Sequence, residues 1–454
     1  MPTFAQMSFA ELMRPEGYDC ACGRRHVMAL EYLKIGRDAV NDLPEALRAA
    51  GSRHPFVVCD ENTYRAAGRR VEEVLRAANI PFETYVIPCR HDRIAPSEWE
   101  LGSMGMHFDP ACDLILGVGS GVINDLCKVF AHASGRKSGI VGTAPSMDGF
   151  ASNSASMEVD GVKVTLYNAC PALIVLDTQI LAQAPMRMLW AGLGDMAAKY
   201  CSVCEWRLAN IVIGEYYCEE VAQMMRASLA RIMEAAPRLL SRDPDAIQPI
   251  AEGLVRAGMA MAYAQASRPA SGLEHYFSHV WEMQALERGL PYDLHGIQVG
   301  VGTMLTLEVL WKLRNLRPDR ARAEAHMRAF DPDAWAREIT RIFGKTAPQI
   351  LRAEEKFHKN DPAAHARRLD AIFSRWDEIV RAIDEELPTP EALRAVLAPT
   401  GMPLTPEEIG ISRQDVVDAF VGSRDIRDKY LSSSLLWDLG LMDEFAGCLA
   451  AINA

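Results

Sequence analysis

Three separated segments carry side chains of the types that hold a divalent ion. In Ala191-Gly-Leu-Gly-Asp195-Met-Ala-Ala-Lys199 a single carboxylate sits at an apolar helix start. In Ser267-Arg-Pro-Ala-Ser-Gly-Leu-Glu-His275-Tyr-Phe-Ser-His279 two imidazoles are four residues apart, so a helix points both from one face. A third, His295, stands at the mouth of another helix in Leu294-His-Gly-Ile-Gln-Val-Gly300. One carboxylate and two or three imidazoles suit a divalent ion that keeps positions open for water or substrate. The sequence does not show that the segments meet. With 11 histidines in the chain, a core or surface role competes for each one. No His-Glu-x-x-His occurs, which removes the zinc-protease pattern.

A second chemistry is suggested by Gly117-Val-Gly119-Ser-Gly121, directly after an apolar run and before Val122-Ile123-Asn124-Asp125. Missing β-carbons allow close approach, and unpaired N–H groups at a helix N-terminus attract phosphate. The spacing is not the Gly-x-Gly-x-x-Gly of the dinucleotide fingerprint, and a tight turn without ligand is the competing reading. Asp60, at the end of an early strand, can accept hydrogen bonds from an adenosine ribose and disfavour a 2′-phosphate; it serves equally as a helix cap.

Other constellations are weaker. Cys20-Ala-Cys22-Gly-Arg-Arg-His26 resembles a zinc hook, but three ligands make an incomplete tetrahedral site, and a tight hairpin turn is preferred. Cys201 and Cys204 fall in an apolar helical stretch and read as packing. Ser120 lacks the Gly-x-Ser-x-Gly elbow and a base, so a phosphate turn suits it better than a nucleophile.

These side chains need elements to position them. Strand-like runs cover residues 56–60, 84–87, 114–119, 139–143 and 172–177, with an amphipathic helix over 64–79, which is the alternation of an α/β sheet. After about residue 184 the composition turns to Ala, Leu, Met, Glu and Arg, as in 219–236 and 250–266, with few strand signals. The reading is an α/β plus all-α protein: a Rossmann-like nucleotide-binding domain over 1–184 and a helical metal- and substrate-binding domain over 185–454. The charged stretch at about 331–390 reads as a solvated helical elaboration.

The length of 454 residues exceeds what one core usually serves. Lys+Arg of 48 against Asp+Glu of 60 argues against broad nucleic-acid binding. No apolar run is long enough for a membrane span, and no secretory signal is visible. An odd count of 11 cysteines, scattered along the chain, reads as reduced thiols in a cytoplasm.

Taken together, Gly117-Val-Gly-Ser-Gly-Val-Ile-Asn-Asp125, Thr143-Ala-Pro-Ser-Met-Asp-Gly-Phe150, Gly194-Asp195, Ser267-Arg-Pro-Ala-Ser-Gly-Leu-Glu-His275 and His295-Gly296 resemble the sn-glycerol-1-phosphate dehydrogenase family, its bacterial branch most of all. That family lies in the superfamily of iron-containing alcohol dehydrogenases, glycerol dehydrogenase and dehydroquinate synthase. The resemblance runs from about residue 15 to 310 and resumes near Pro406-Glu-Glu-Ile-Gly-Ile-Ser412.

The resemblance implies an N-terminal nucleotide domain joined to a helical domain. It implies metal ligands at Asp195, His275 and His295, with zinc first and nickel or ferrous iron as alternatives. It places NAD(H) or NADP(H) against Gly119, Gly121, Val122, Ile123, Asn124 and Asp125, with Thr143, Ser146 and Ser152 nearby and Asp60 at the ribose. Asp148, His279 and Asp195 would contact dihydroxyacetone phosphate, and Lys199 or Arg268 is a candidate partner for its phosphate. A homodimer is implied by the family alone. The alternatives are a dehydrogenase for glycerol or another polyol, a dehydroquinate-synthase-like cyclase, and a non-catalytic binding protein of the same fold. The Ser-Met-Asp-Gly-Phe and Arg-Pro-Ala-Ser-Gly segments favour the glycerol-phosphate branch.

Overall fold

Six short runs rich in aliphatic residues pair side by side, because each can be buried only with both faces covered. The computed structural model describes residues 3–90, 94–159 and 162–452. The runs are β1 (Tyr32–Gly36), β2 (Pro55–Asp60), β3 (Glu83–Ile87), β4 (Leu114–Gly119), β5 (Lys137–Gly142) and β6 (Leu173–Asp177). They form one parallel sheet in the order β1-β6-β5-β4-β2-β3. The interior strands β4 and β6 are buried throughout, as their aliphatic runs require.

Five of these strands coincide, within two residues at either end, with the runs read from sequence. The sixth, β1, is an edge strand interrupted by Lys34 and ended by Gly36. The expected helix over 64–79 is a continuous helical run from Glu61 to Ala77 with one wide turn, Tyr64–Gly68, whose bonds reach one residue further than in an α-helix. A two-stranded antiparallel ribbon, Ser154–Val159 with Val162–Tyr167, extends from the same region.

The change from strand to helix does fall near residue 184: among the described residues no strand follows Asp177. The compact units divide elsewhere. One comprises Met1–Met196 and Glu219–Pro269, the other Ala197–Cys218 and Ala270–Ala454. The sheet-containing unit thus includes the helices Glu219–Ala235 and Pro244–Ala264, which pack along one another. The second of them also lies on the Gly149–Ala151 turn and the Thr178–Ala182 helix. Gly258 permits that approach, since a β-carbon there would stand 2.9 Å from the Asp148 carbonyl oxygen.

The other unit is helical. Leu273–Arg288 packs against His295–Arg314 and Arg413–Ser423. Four helices cover most of the charged stretch: Pro332–Phe343, Ala347–Phe357, Pro362–Ser374 and Trp376–Glu386. Most of their charge lies on outer faces, with Glu386 an exception that is buried. The last buries Ile379, Ala382 and Ile383 against Lys199–Ile213, and Arg207 pairs with Glu385 and Glu386, so this segment belongs to the unit's core as well as its surface. No helix among the described residues is long and apolar enough to cross a membrane.

Candidate functional site

In the sheet-containing unit, β4 runs into the helix Gly121–Ser134 through Gly119 and Ser120. Gly119 is required: a β-carbon there would lie 2.5 Å from the β-carbon of Ile123, one turn into the helix. Ser120 occupies the N-cap position but does not cap. Its hydroxyl donates to the Ala144 carbonyl at 3.1 Å and accepts from Ser146 at 2.6 Å. A helix start leaves its first amides without intrahelical acceptors. Here the residue best placed to satisfy them is turned away, so the amides at Gly121, Val122 and Ile123 suit an anionic oxygen. The chemistry of this turn fits a dinucleotide pyrophosphate.

The side chains after the turn are committed inward. Asn124 donates to the Gly149 carbonyl at 3.0 Å, and Asp125 accepts from the Ser156 amide at 3.0 Å while pairing with the buried Lys128. Lys128 also reaches Gly149 and Ser152. Thr143 bonds through its amide to the Gly119 carbonyl at 2.9 Å. These residues therefore hold loop 143–156 beside the glycine turn. Asp60 caps the following helix, its Oδ1 accepting from Asn62 at 2.7 Å and Thr63 at 2.8 Å. Its other oxygen, Oδ2, is the one a ribose could use.

Loop 143–148 also carries Asp148, whose backbone amide donates to Asp195 Oδ2 at 2.9 Å. Asp195 is buried on the helix Met186–Ala197. Gly192 brings that helix onto the loop; a β-carbon there would lie 1.8 Å from the Pro145 carbonyl oxygen. Arg268, expected as a phosphate partner, is buried in this unit.

The helical unit holds the imidazoles. His275 and His279 leave one face of Leu273–Arg288, and His295 is the first residue of His295–Arg314. The His295 ring centroid is 5.4 Å from each of the other two. Each expected metal-binding imidazole has its tautomer fixed. His275 Nδ1 lies 2.9 Å from Glu274 Oε1, a carboxylate that can only accept. His295 Nδ1 lies 2.9 Å from Ser278 Oγ and 3.2 Å from Glu282 Oε1. Ser278 gives its own proton to Gln298 Oε1 at 2.9 Å, so it too can only accept from His295. Both rings therefore carry the proton on Nδ1, so the lone pair sits on Nε2, the tautomer that ligates a metal, with the outer hydrogen bonding that orients it. On this observation the residues fit a divalent ion.

His279 differs. Its Nδ1 is buried without a hydrogen-bond partner, and Glu282 Oε2 is 4.0 Å away. Burial first, then the positive charge of Arg427, holds this imidazole well below its ordinary value. It is neutral at physiological pH. One ligand atom from each of His279, Glu282 and His295 lies within 4.8 Å of the others.

Glu274, Ser278, Glu282 and Gln298 escaped the reading of the sequence. Glu282 had a signal, since it stands three residues after His279 and seven after His275, on the same helix face. Lys199 is buried and donates to the Ala270 carbonyl at 3.0 Å. Lys429, equally unforeseen, donates to the Ser271 carbonyl at 3.0 Å and stands over the Tyr276 ring.

Residues 34–185 match the iron-containing alcohol dehydrogenase family. A glycerol-1-phosphate dehydrogenase [NAD(P)+] of Halalkalibacterium halodurans is 36% identical over 296 residues, covering 65% of this chain and 74% of that one. One from Geobacillus stearothermophilus is 29% identical over 401 residues, covering 87% and 89%. In fold, the chain is similar to the glycerol dehydrogenase of Schizosaccharomyces pombe, with a TM-score of 0.61 at 15% identity over 95% of this chain and 93% of that one. By this kinship in sequence, and with its glycine turn and oriented imidazoles, the chain belongs to the glycerol-1-phosphate dehydrogenase family.

Proposed function

We propose that the chain is a metal-dependent NAD(P)-linked oxidoreductase that interconverts dihydroxyacetone phosphate and sn-glycerol 1-phosphate. The observation that carries the reading is the shared tautomer of His275 and His295, each with its proton held on Nδ1 and its lone pair on Nε2. With Asp195 they are the proposed ligands, for zinc first and for nickel or ferrous iron as alternatives. The proposed dinucleotide contacts are the Gly119–Ile123 turn, Thr143, Ser146 and Asp60, the last favouring NADH over NADPH. Asn124, Asp125 and Ser152 support this site from behind through loop 143–156.

When bound, the metal supplies Lewis acidity toward the substrate carbonyl oxygen and the dinucleotide supplies the hydride. The chain's own residues do the rest. Asp148 accepts a hydrogen bond from a substrate hydroxyl and so selects the face that is reduced. Its position is set by Asp195, which holds its amide. His279, neutral because burial disfavours its cation, would relay a proton to the new alkoxide oxygen, one ring nitrogen giving its proton as the other takes one up from solvent. The phosphate dianion needs a positive partner. Lys199 is fully buried, whereas Lys429 beside Ser271 is only half-buried and is the better candidate. A homodimer in the cytoplasm is part of the same proposal.

The test is NADH oxidation by metal-reconstituted protein with dihydroxyacetone phosphate and, in parallel, dihydroxyacetone. A strong preference for the phosphate ester, abolished by chelator, supports the reading. Equal or better turnover of dihydroxyacetone moves it to a polyol dehydrogenase. No oxidation of NADH with either substrate removes it in favour of a cyclase or another substrate.

A further inference from the structure

A cluster of thiols and imidazole lies at the N-terminus of the sheet-containing unit. Tyr18–Asp19 pairs antiparallel with Arg25–His26, in register Tyr18 to His26. The turn between them is closed by the Gly23 amide on the Cys20 carbonyl at 3.0 Å and the Cys20 amide on the Arg24 carbonyl at 3.1 Å. Gly23 takes φ +82°, a conformation that a side chain would strain. This is the hairpin expected from sequence, and it gathers the three side chains: one ligand atom each from Cys20, Cys22 and His26 lies within 4.8 Å of the others.

His26 is completely buried, and its Nδ1 lies 2.9 Å from the Tyr263 carbonyl oxygen. A carbonyl only accepts, so Nδ1 carries the proton and Nε2 offers its lone pair. That lone pair faces Cys22 Sγ at 3.3 Å. A tetrahedral zinc with bonds of about 2.3 Å to sulfur and about 2.0 Å to nitrogen holds the two atoms about 3.5 Å apart. The imidazole is further fixed by the Phe4 ring, edge-on at 5.3 Å. Orientation by a backbone carbonyl and by packing is what a metal-ligating histidine requires.

We propose that Cys20, Cys22 and His26 bind a divalent zinc ion with a structural role, separate from the sulfur-free catalytic set. Binding releases the two thiol protons to solvent and forms two zinc–thiolate bonds and one zinc–imidazole bond. The ion would lock the hairpin to the C-terminal end of Pro244–Ala264, where His26 holds Tyr263 and Arg24 donates to the Ala264 carbonyl at 3.0 Å. The fourth tetrahedral position is open to water.

The test uses the full chain, stripped of metal and reloaded with cobalt(II), which reports thiolate ligation by a sulfur-to-cobalt charge-transfer band in the near ultraviolet. The expected result is this band, lost in Cys20→Ser and in Cys22→Ser, while the d–d absorption of a site without sulfur persists. Metal analysis of zinc-loaded protein should fall by one equivalent in the same variants. Should a variant fail to fold, the wild-type protein still decides: zinc must shield Cys20 and Cys22 from alkylation, and chelator must expose them. Absence of the band, or unchanged metal content in folded variants, overturns the proposal. Because the readout is sulfur ligation, it stands whatever the substrate assay gives.

Discussion

Glu274 Oε1 accepts from the imidazole of the very next residue, His275, at 2.9 Å, and from the Gly272 amide at 2.6 Å. Adjacent residues on a helix do not ordinarily face each other. Here the helix begins at Leu273, and the carboxylate folds back over its own N-terminus, where negative charge is favoured. The imidazole is thereby oriented from within one turn of chain.

Removing that acceptor charge should loosen the metal. Glu274→Gln keeps the shape but weakens the hold on Nδ1–H, and metal affinity is expected to fall about 10–100-fold. Competition titration against a chromogenic chelator measures it. Unchanged affinity would separate Glu274 from metal binding altogether.

Packing between the Met186–Ala197 helix and loop 143–148 depends on one missing methyl group. Gly192→Ala sets a β-carbon 1.8 Å from the Pro145 carbonyl oxygen, and backbone must move. Overpacking of this kind costs about 1–3 kcal/mol. Thermal unfolding should report that loss, and Asp148 should be displaced along with the loop. A variant of wild-type stability would contradict the close approach.

Acid should destabilise the metal-free protein through His279. The unfolded side chain takes up a proton as pH falls through 6.5, whereas burial keeps the folded one neutral well below that value. More protons are then bound by the unfolded state, so stability is fully present above 6.5 and declines as pH drops below it. The decline is at most about 1.4 kcal/mol per pH unit. Melting temperatures at about pH 7.5 and about pH 5.5 should differ less in His279→Gln than in the wild type. Equal differences would exclude His279 as the source.

Thiol reactivity should follow burial. The exposed Cys89 is expected to react with iodoacetamide in the folded protein. Cys59, buried on β2, has its thiol pushed up to about 12, chiefly by desolvation, and should stay unlabelled until the protein unfolds. Mass spectrometry of alkylated peptides distinguishes them. Native-state labelling of Cys59 would show that β2 opens readily.

Much of the fold was legible because buried strands announce themselves: Leu114–Gly119 is a closed apolar run ended by a glycine turn. The edge strand Tyr32–Gly36 was not, since its half-exposed sequence carries Lys34 and alternates little. Among site residues, Asp195, His275 and His295 stood out by type. Their supports did not. Whether Ser278 acts as acceptor is settled by Gln298, a residue one helix away, and such a chain of donors exists only once the helices pack. Asp60 shows the same limit, for strand-end carboxylate and helix cap are one side chain doing both.

The division of the chain bears on how it is made. The sheet-containing unit is interrupted by Ala197–Cys218 and finished only by Glu219–Pro269. On the ribosome, its last strand, Leu173–Asp177, emerges well before the Pro244–Ala264 helix that covers the Thr178–Ala182 segment and the Gly149–Ala151 turn. A nascent chain ending near residue 184 would hold a complete sheet with part of its apolar surface bare. Such a fragment is a client for chaperones and an unsafe place to cut the gene.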